Sequence, residues 1–209
     1  MPSLARRTDA QRTKRAAVEA GVLEATRALL ADGASFADLP IEQIATRAGI
    51  SRPAFYMYFR DKRELLTRVT EGIAEELYRE AEHWWRGAGE RDGAAQLAEA
   101  LAQIVGLYRR HASLLRAIVE AAAYDREVAC YWRTLVARFV DATRARIERE
   151  QATGAVDPAL PAHAVAFGLC WMTERAAYEH LVQDGDLADS TLVDGLLAIW
   201  LGAVYGRPR

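Results

Sequence analysis

The chain has 209 residues, and 51% of them are hydrophobic, so burying a proper core is easy. Its formal net charge of −2 conceals a division: residues 1–70 carry 12 Lys and Arg against 8 Asp and Glu, and residues 71–209 carry 15 against 21. A basic front on an acidic remainder points to a polyanion met at one end only. Cys130 and Cys170 have no CxxC spacing and lie in apolar helical patterns, which reads as two reduced, buried thiols of a cytoplasmic protein. The basic N-terminus leads into no apolar segment of a secretory signal, and the most apolar run, Ala164 to Met172, is too short to span a bilayer.

Strand signals are almost absent. Ala, Leu, Arg and Glu dominate, and apolar residues recur three and four apart, which predicts an all-α chain. The first helix is predicted over Ala10–Ala31, with Val18, Val22, Ala25 and Leu29 on one stripe and Asp32-Gly33 as its stop. A short second helix runs from Ile41 to Ala48 behind Pro40, and Gly49 breaks it. Ser51 caps a short third helix that tolerates Pro53 in its first turn and ends in an aromatic run at Phe59. Asp61 and Glu64 form a capping box for a long fourth helix carrying Leu66, Val69, Ile73 and Leu77 on one face. Gly87 to Gly93 reads as a linker. Five more helices are predicted over 94–110, 113–123, 126–151, 158–183 and 190–205. Gly154 followed by Asp157-Pro158 gives a stop and a start, Asp184-Gly185-Asp186 another stop, and Ser190 or Asp189 caps the last helix.

The segment 41–59 carries the chemistry. A helix-turn-helix needs a small residue where its helices cross, and Ala45 supplies it. Four positions later the tight turn needs positive φ, and Gly49 supplies that. Ile44, Ile50, Phe55 and Phe59 provide apolar inner faces. The second helix of such a motif lies in the major groove with its N-terminal residues at base edges, here Ser51, Arg52, Pro53 and Ala54. Arg52 is the one long donor among them, suited to a bidentate contact with guanine or to a phosphate. Tyr56 and Tyr58 are expected to face outward to phosphates, and Lys62 to meet the backbone at the start of the fourth helix. Arg6, Arg7, Arg12, Lys14 and Arg15 make the N-terminus a basic arm that either follows the duplex or is a solvated tail.

With Ala45, Gly49, Ser51, Phe55-Tyr56-Met57-Tyr58-Phe59, Lys62 and Glu64-Leu65-Leu66, the stretch from about Lys14 to Val69 resembles the DNA-binding head of the TetR family of bacterial transcriptional regulators. The Ser51–Phe59 string and Trp171-Met-Thr-Glu-Arg175 resemble its EthR-like branch more closely. One departure is Asp38-Leu39-Pro40, where many relatives place Thr or Ser at the cap of the second helix. The resemblance implies about nine helices in three parts. A basic arm (1–13) precedes a helix-turn-helix domain (14–70, motif 38–59), and a ligand-binding and dimerisation domain (71–209) follows, joined to the head by the fourth helix.

In the ninth helix Leu192, Leu196, Ile199 and Ala203 form one stripe, and Gly195 and Gly202 add small residues that allow close helix approach. Either this is an internal core stripe or, as the resemblance implies, it lies in a four-helix interface of a homodimer. Aromatic residues on the apolar faces of the body, Tyr108, Tyr131, Trp132, Phe139, Trp171 and Trp200, suit either a plain core or a small-molecule pocket. The resemblance favours a pocket and adds Cys170 and Thr173. The function expected is a repressor that binds a pseudo-palindromic DNA operator as a homodimer and is released by a small, largely apolar effector. A ligand-independent repressor and a helical scaffold without DNA binding are the alternatives. His83, His111, His163 and His180 show no metal-ligand spacing and no Gly-rich phosphate loop occurs, so neither an enzyme nor a metal or cofactor site is expected.

Overall fold

A computed structural model describes residues 4–87, 90–183 and 185–206, with the side chains of 4–11 and 90–92 excepted. Among the described residues there are nine helices and no strand. They fall into two compact units divided between Glu71 and Gly72, a boundary that lies inside the fourth helix.

The first unit contains α1 (Leu4–Ala31), α2 (Ile41–Arg47), α3 (Arg52–Phe55) and the opening turns of α4 (Lys62–Arg86). Helix α1 starts six residues earlier than the expected Ala10, because nothing between Leu4 and Ala31 breaks a helix of Ala, Arg and Leu. Residues 4–13 of the expected arm are therefore helical, and Arg12 and Lys14 project from α1 into solvent. The side chains of Arg6 and Arg7 lie outside the described residues. Gly33 closes α1 at φ +92°. Val22, Leu29, Ile44, Phe55, Phe59, Leu65, Leu66 and Val69 are all buried and make one core. Burying each such side chain contributes about 1.5–3 kcal/mol.

The second unit holds the rest of α4 with α5 (Glu90–Arg110), α6 (Ala112–Tyr124), α7 (Arg126–Thr153), α8 (Ala162–Leu181) and α9 (Asp189–Tyr205). Helix α7 packs on α6 and α8, and α5 packs on α8 and α9. Asp125 caps α7 by accepting from the amides of Glu127 and Val128, and Gly154 ends that helix at φ +78°.

Three further boundaries differ from the sequence reading. Helix α5 begins at Glu90, inside the expected linker. Helix α8 begins at Ala162 rather than at Pro158. Asp157 instead caps a separate turn, its carboxylate accepting from the Ala159 amide and its carbonyl from the Leu160 amide. Gln151 donates to the carbonyls of Asp157 and Leu160 and pins that turn. Pro161 follows, restricting Leu160 away from helix, so the helix starts only beyond it. Helix α9 has Ala188 at its N-cap and no side-chain cap, with Asp189 already in its first turn. Cys130, expected to be buried, is exposed on α7; both cysteines are free thiols.

Candidate nucleic-acid interface and ligand cavity

The turn between α2 and α3 is built as its residues require. Gly49 takes φ +71°, and the Ile50 amide donates back to the Ala45 carbonyl at 3.0 Å. Ala45, 1% exposed, offers only a methyl where the short helices pack on each other. Ser51 then caps α3 by accepting from the Ala54 amide at 3.3 Å, with Pro53 in the first turn. Beyond Phe55 the chain tightens: Tyr58 N–H donates to the Phe55 carbonyl three residues back.

This geometry divides the aromatic run cleanly. Phe55 and Phe59 go into the core with ring centroids 5.3 Å apart, while Tyr56 and Met57 are exposed. Ser51, Arg52 and Pro53 are exposed as well, and Ala54 and Tyr58 are half-buried. Arg15 of α1 lies over the Tyr58 ring, 5.7 Å from its centroid. The first turn of α4 has the expected cap, with Asp61 accepting from the Glu64 amide at 2.8 Å, while the Glu64 carboxylate closes back not on the cap residue but on the Arg60 amide, also at 2.8 Å.

Lys62 behaves differently from its expectation. Its ammonium folds back to donate to the carbonyls of Phe36 and Ala37 and sits 4.8 Å from the Phe36 ring centroid. Partial burial pushes its pKa down, with Asp38 opposing. Two of its three donors are thus spent holding the α1–α2 loop, which leaves one for the backbone contact expected of it. At the entry to α2 the cap is Pro40, which makes no side-chain cap bond.

In the second unit the aromatic residues surround an apolar cavity of about 80 Å³. Six of the seven expected lining residues are in its wall: Tyr108 from α5, Trp132 and Phe139 from α7, Cys170 and Thr173 from α8, and Trp200 from α9. Trp171 is not. Cys170, Thr173 and Glu174 share the inward face of α8, whereas Trp171 falls about 100° round the helix from Cys170, paired with exposed Phe167. Tyr131, named with the aromatics, is not in the wall either.

Among the wall residues not expected from sequence, four shape its polarity and aromatic character: Trp84, Trp85, Thr143 and Glu174. Trp84 and Trp85 end the stripe of α4 begun by Ile73 and Leu77, a signal present in the spacing. Thr143 accepts from the Trp85 indole at 3.1 Å and lies 3.6 Å from the Cys170 sulfur. Glu174 is 6% exposed, and its oxygens have no partner in good hydrogen-bond geometry, the Trp132 indole being the group that faces them. Burial pushes the Glu174 carboxyl up, offset by Arg175 and the Trp132 indole. Burial likewise raises the Tyr108 phenol, with Glu174 adding to the effect, and lifts the Cys170 thiol to about 11. Both are held protonated.

The expected interface residues separate into two groups. Leu192 and Leu196 are buried within the chain and serve its own core. Gly195, Ile199 and Gly202 are exposed, and Ala203 is half-buried. Helix α9 is apolar nearly all round, so one stripe read from sequence mixed an inward and an outward face.

Residues 22–69 match the family described as "Bacterial regulatory proteins, tetR family", and residues 97–206 match "Transcriptional regulator EthR, C-terminal domain". The chain is similar to the HTH-type transcriptional regulator EthR of Mycobacterium tuberculosis, strain H37Rv, at 28% identity over 91% of this chain and 88% of that protein. EthR of Mycolicibacterium smegmatis is 29% identical, covering 90% of this chain and 86% of its own length. Among solved structures, the regulator FadR of Bacillus subtilis in complex with stearoyl-CoA shares the fold, with a TM-score of 0.71 at 15% identity over 90% of this chain and 98% of that one. An exposed, serine-capped helix after a glycine turn and a C-terminal helical body thus belong together: this chain is a DNA-binding transcriptional regulator of the TetR family, with a C-terminal domain of the EthR type.

Proposed function

We propose that this regulator is a repressor that reads a pseudo-palindromic operator as a homodimer and lets go when a small effector enters the cavity of its second unit. The observation that carries the reading is one chain combining an outward-facing α3 with an aromatic cavity walled by five helices. Arg52, Ser51, Pro53 and Ala54 are assigned to base edges, with Arg52 making the directional contact. Tyr56, Tyr58, Arg12 and Lys14 are assigned to phosphates, where they set register rather than sequence. The exposed faces of α8 and α9, with Phe167, Gly195, Ile199 and Gly202, are assigned to the partner subunit, which would space two recognition helices about 34–36 Å apart or a multiple of it.

The effector acts by linkage. If it favours a setting of α4 other than the one DNA selects, DNA affinity falls by the ratio of its affinities for the two states, about 5–150-fold for a coupling of about 1–3 kcal/mol. The cavity of 80 Å³ is well below the roughly 300–1,000 Å³ of ordinary ligand sites, so a drug-sized effector requires side chains to move aside. The same small volume favours, as the second reading, a repressor that needs no ligand.

Operator binding by Arg52→Ala and Tyr56→Phe variants tests the head, with weakened affinity expected in both. A titration from low to high salt is expected to give a steep negative slope. Unchanged affinity in both variants, or a flat slope, overturns the assignment.

A further inference from the structure

Resting on the cavity as the effector site, we infer that its ligand is a small organic monocation, an amine or quaternary ammonium, held between aromatic faces and the carboxylate of Glu174. Among the described residues, Glu174 is the one acidic residue in the wall, and no basic one lines it. Glu174 is 6% exposed, and neither oxygen has a partner in good hydrogen-bond geometry, although the Trp132 indole faces the carboxyl; the Arg175 guanidinium approaches only to 3.9 Å, from an exposed position. Several other polar groups in the wall are engaged with one another, although the Trp84 indole N–H is also buried without a partner. Trp200 donates to Thr173, Trp85 donates to Thr143, and Thr143 meets Cys170.

A purely apolar occupant would leave this buried acid only the Trp132 indole and the distant Arg175 to offset its charge, which is costly. A cation changes the balance on both counts. It supplies an opposite charge, and the aromatic residues Trp132, Trp200, Trp85, Phe139 and Tyr108 line the same apolar cavity, where a cation gains from contact with a ring face. Burial raises the acid's pKa in the empty cavity, and a bound cation restores the ionised form. The groups that face Glu174 are Tyr108 from α5, the Trp132 indole from α7, and Arg175 and Glu179 from its own helix. The cavity is smaller than the roughly 150 Å³ void that takes benzene, so the resting site suits a head group with a few carbons.

The test titrates the full-length protein with n-butylammonium and with 1-butanol, which are nearly isosteric and differ in charge. Binding is followed by tryptophan fluorescence, since four of the five tryptophans line the cavity. The wild type is expected to bind the ammonium at least about tenfold more tightly than the alcohol, and Glu174→Gln, which keeps the shape, to abolish that preference. Equal binding of the two, or a preference that survives in Glu174→Gln, overturns the inference and leaves an apolar effector site standing. Binding of neither overturns the inference together with the effector site in this cavity. Operator release, measured separately, discriminates further. A Glu174-dependent ammonium that binds without releasing DNA upholds the cation site while refuting its regulatory role.

Discussion

Trp200 donates its indole N–H to the hydroxyl of Thr173 at 2.8 Å, tying α9 to α8 in the wall of the cavity. Both residues are buried, so water cannot readily replace either partner. Thr173→Val keeps the shape and removes the acceptor, leaving the indole N–H unsatisfied at a cost of about 1–3 kcal/mol. Thermal unfolding is expected to show a midpoint lower by about 2–4 °C for each kcal/mol lost. An unshifted midpoint would mean that the bond contributes nothing.

Arg146 and Glu150 form a buried ion pair one turn apart on α7, with N and O at 2.7 Å. Arg146 also donates to the Trp84 carbonyl and lies over the Trp84 ring, while the Tyr205 phenol donates to Glu150 at 2.7 Å. Removing one partner strands the other charge. Arg146→Met is expected to cost about 3–5 kcal/mol in urea unfolding, and Arg146→Met with Glu150→Leu to recover much of that loss. A double variant no more stable than the single one would show that the pair contributes more than its charges.

The Gly49 turn is strained for any other residue, yet a Cβ built there meets nothing within 4 Å. Gly49→Ala therefore isolates the backbone cost of the left-handed region, about 1–2 kcal/mol. Gly33 at φ +92° is its control, with the same open surroundings outside the α2–α3 turn. Both alanine variants are expected to lose stability, but only Gly49→Ala to weaken operator binding beyond that loss. Equal DNA affinities would detach the turn from recognition.

Glu174 gives the second unit a pH dependence of definite sign. Its folded pKa is raised above the ordinary 4.5, chiefly by burial. The folded state thus holds the proton more tightly than the unfolded chain does. Its contribution to stability is complete below pH 4.5 and is lost as pH rises through the raised value. Glu174→Gln is expected to melt above the wild type at pH 8 and to narrow that gap at pH 5. Parallel melting curves across this range would show that the carboxyl does not titrate there.

The head was legible in the sequence because its signals are local. Gly49, Ser51 and Asp61 each act within four residues, and the structure uses them as read, with Glu64 shifted one residue back to the Arg60 amide. The cavity was legible in part. Spacing put Trp132 and Phe139 on one helix face, but whether that face meets a void or another side chain depends on helices far away in the chain. Glu174 escaped because a carboxyl beside an arginine reads as surface; only the packing of α5 and α7 on α8 puts it inside. Helix α9 defeats periodicity for another reason: with apolar residues on every side, Leu196 and Ile199 look alike, yet one is core and the other half exposed. Lys62 was assigned to DNA from its place at a helix start, and the carbonyls that occupy it lie some 25 residues earlier.

Helix α3 spans four residues, Arg52–Phe55, whereas a helix shorter than about 12–15 residues is marginal in water by itself. Its form is lent by packing on α2 and by the head's buried core, in which its own Phe55 and the neighbouring Ile44 and Leu65 are each 0% exposed. A genetic screen for derepressed mutants should therefore yield many alleles at positions that never meet a base pair. In such a collection, the silent interior of the head would outnumber its reading edge.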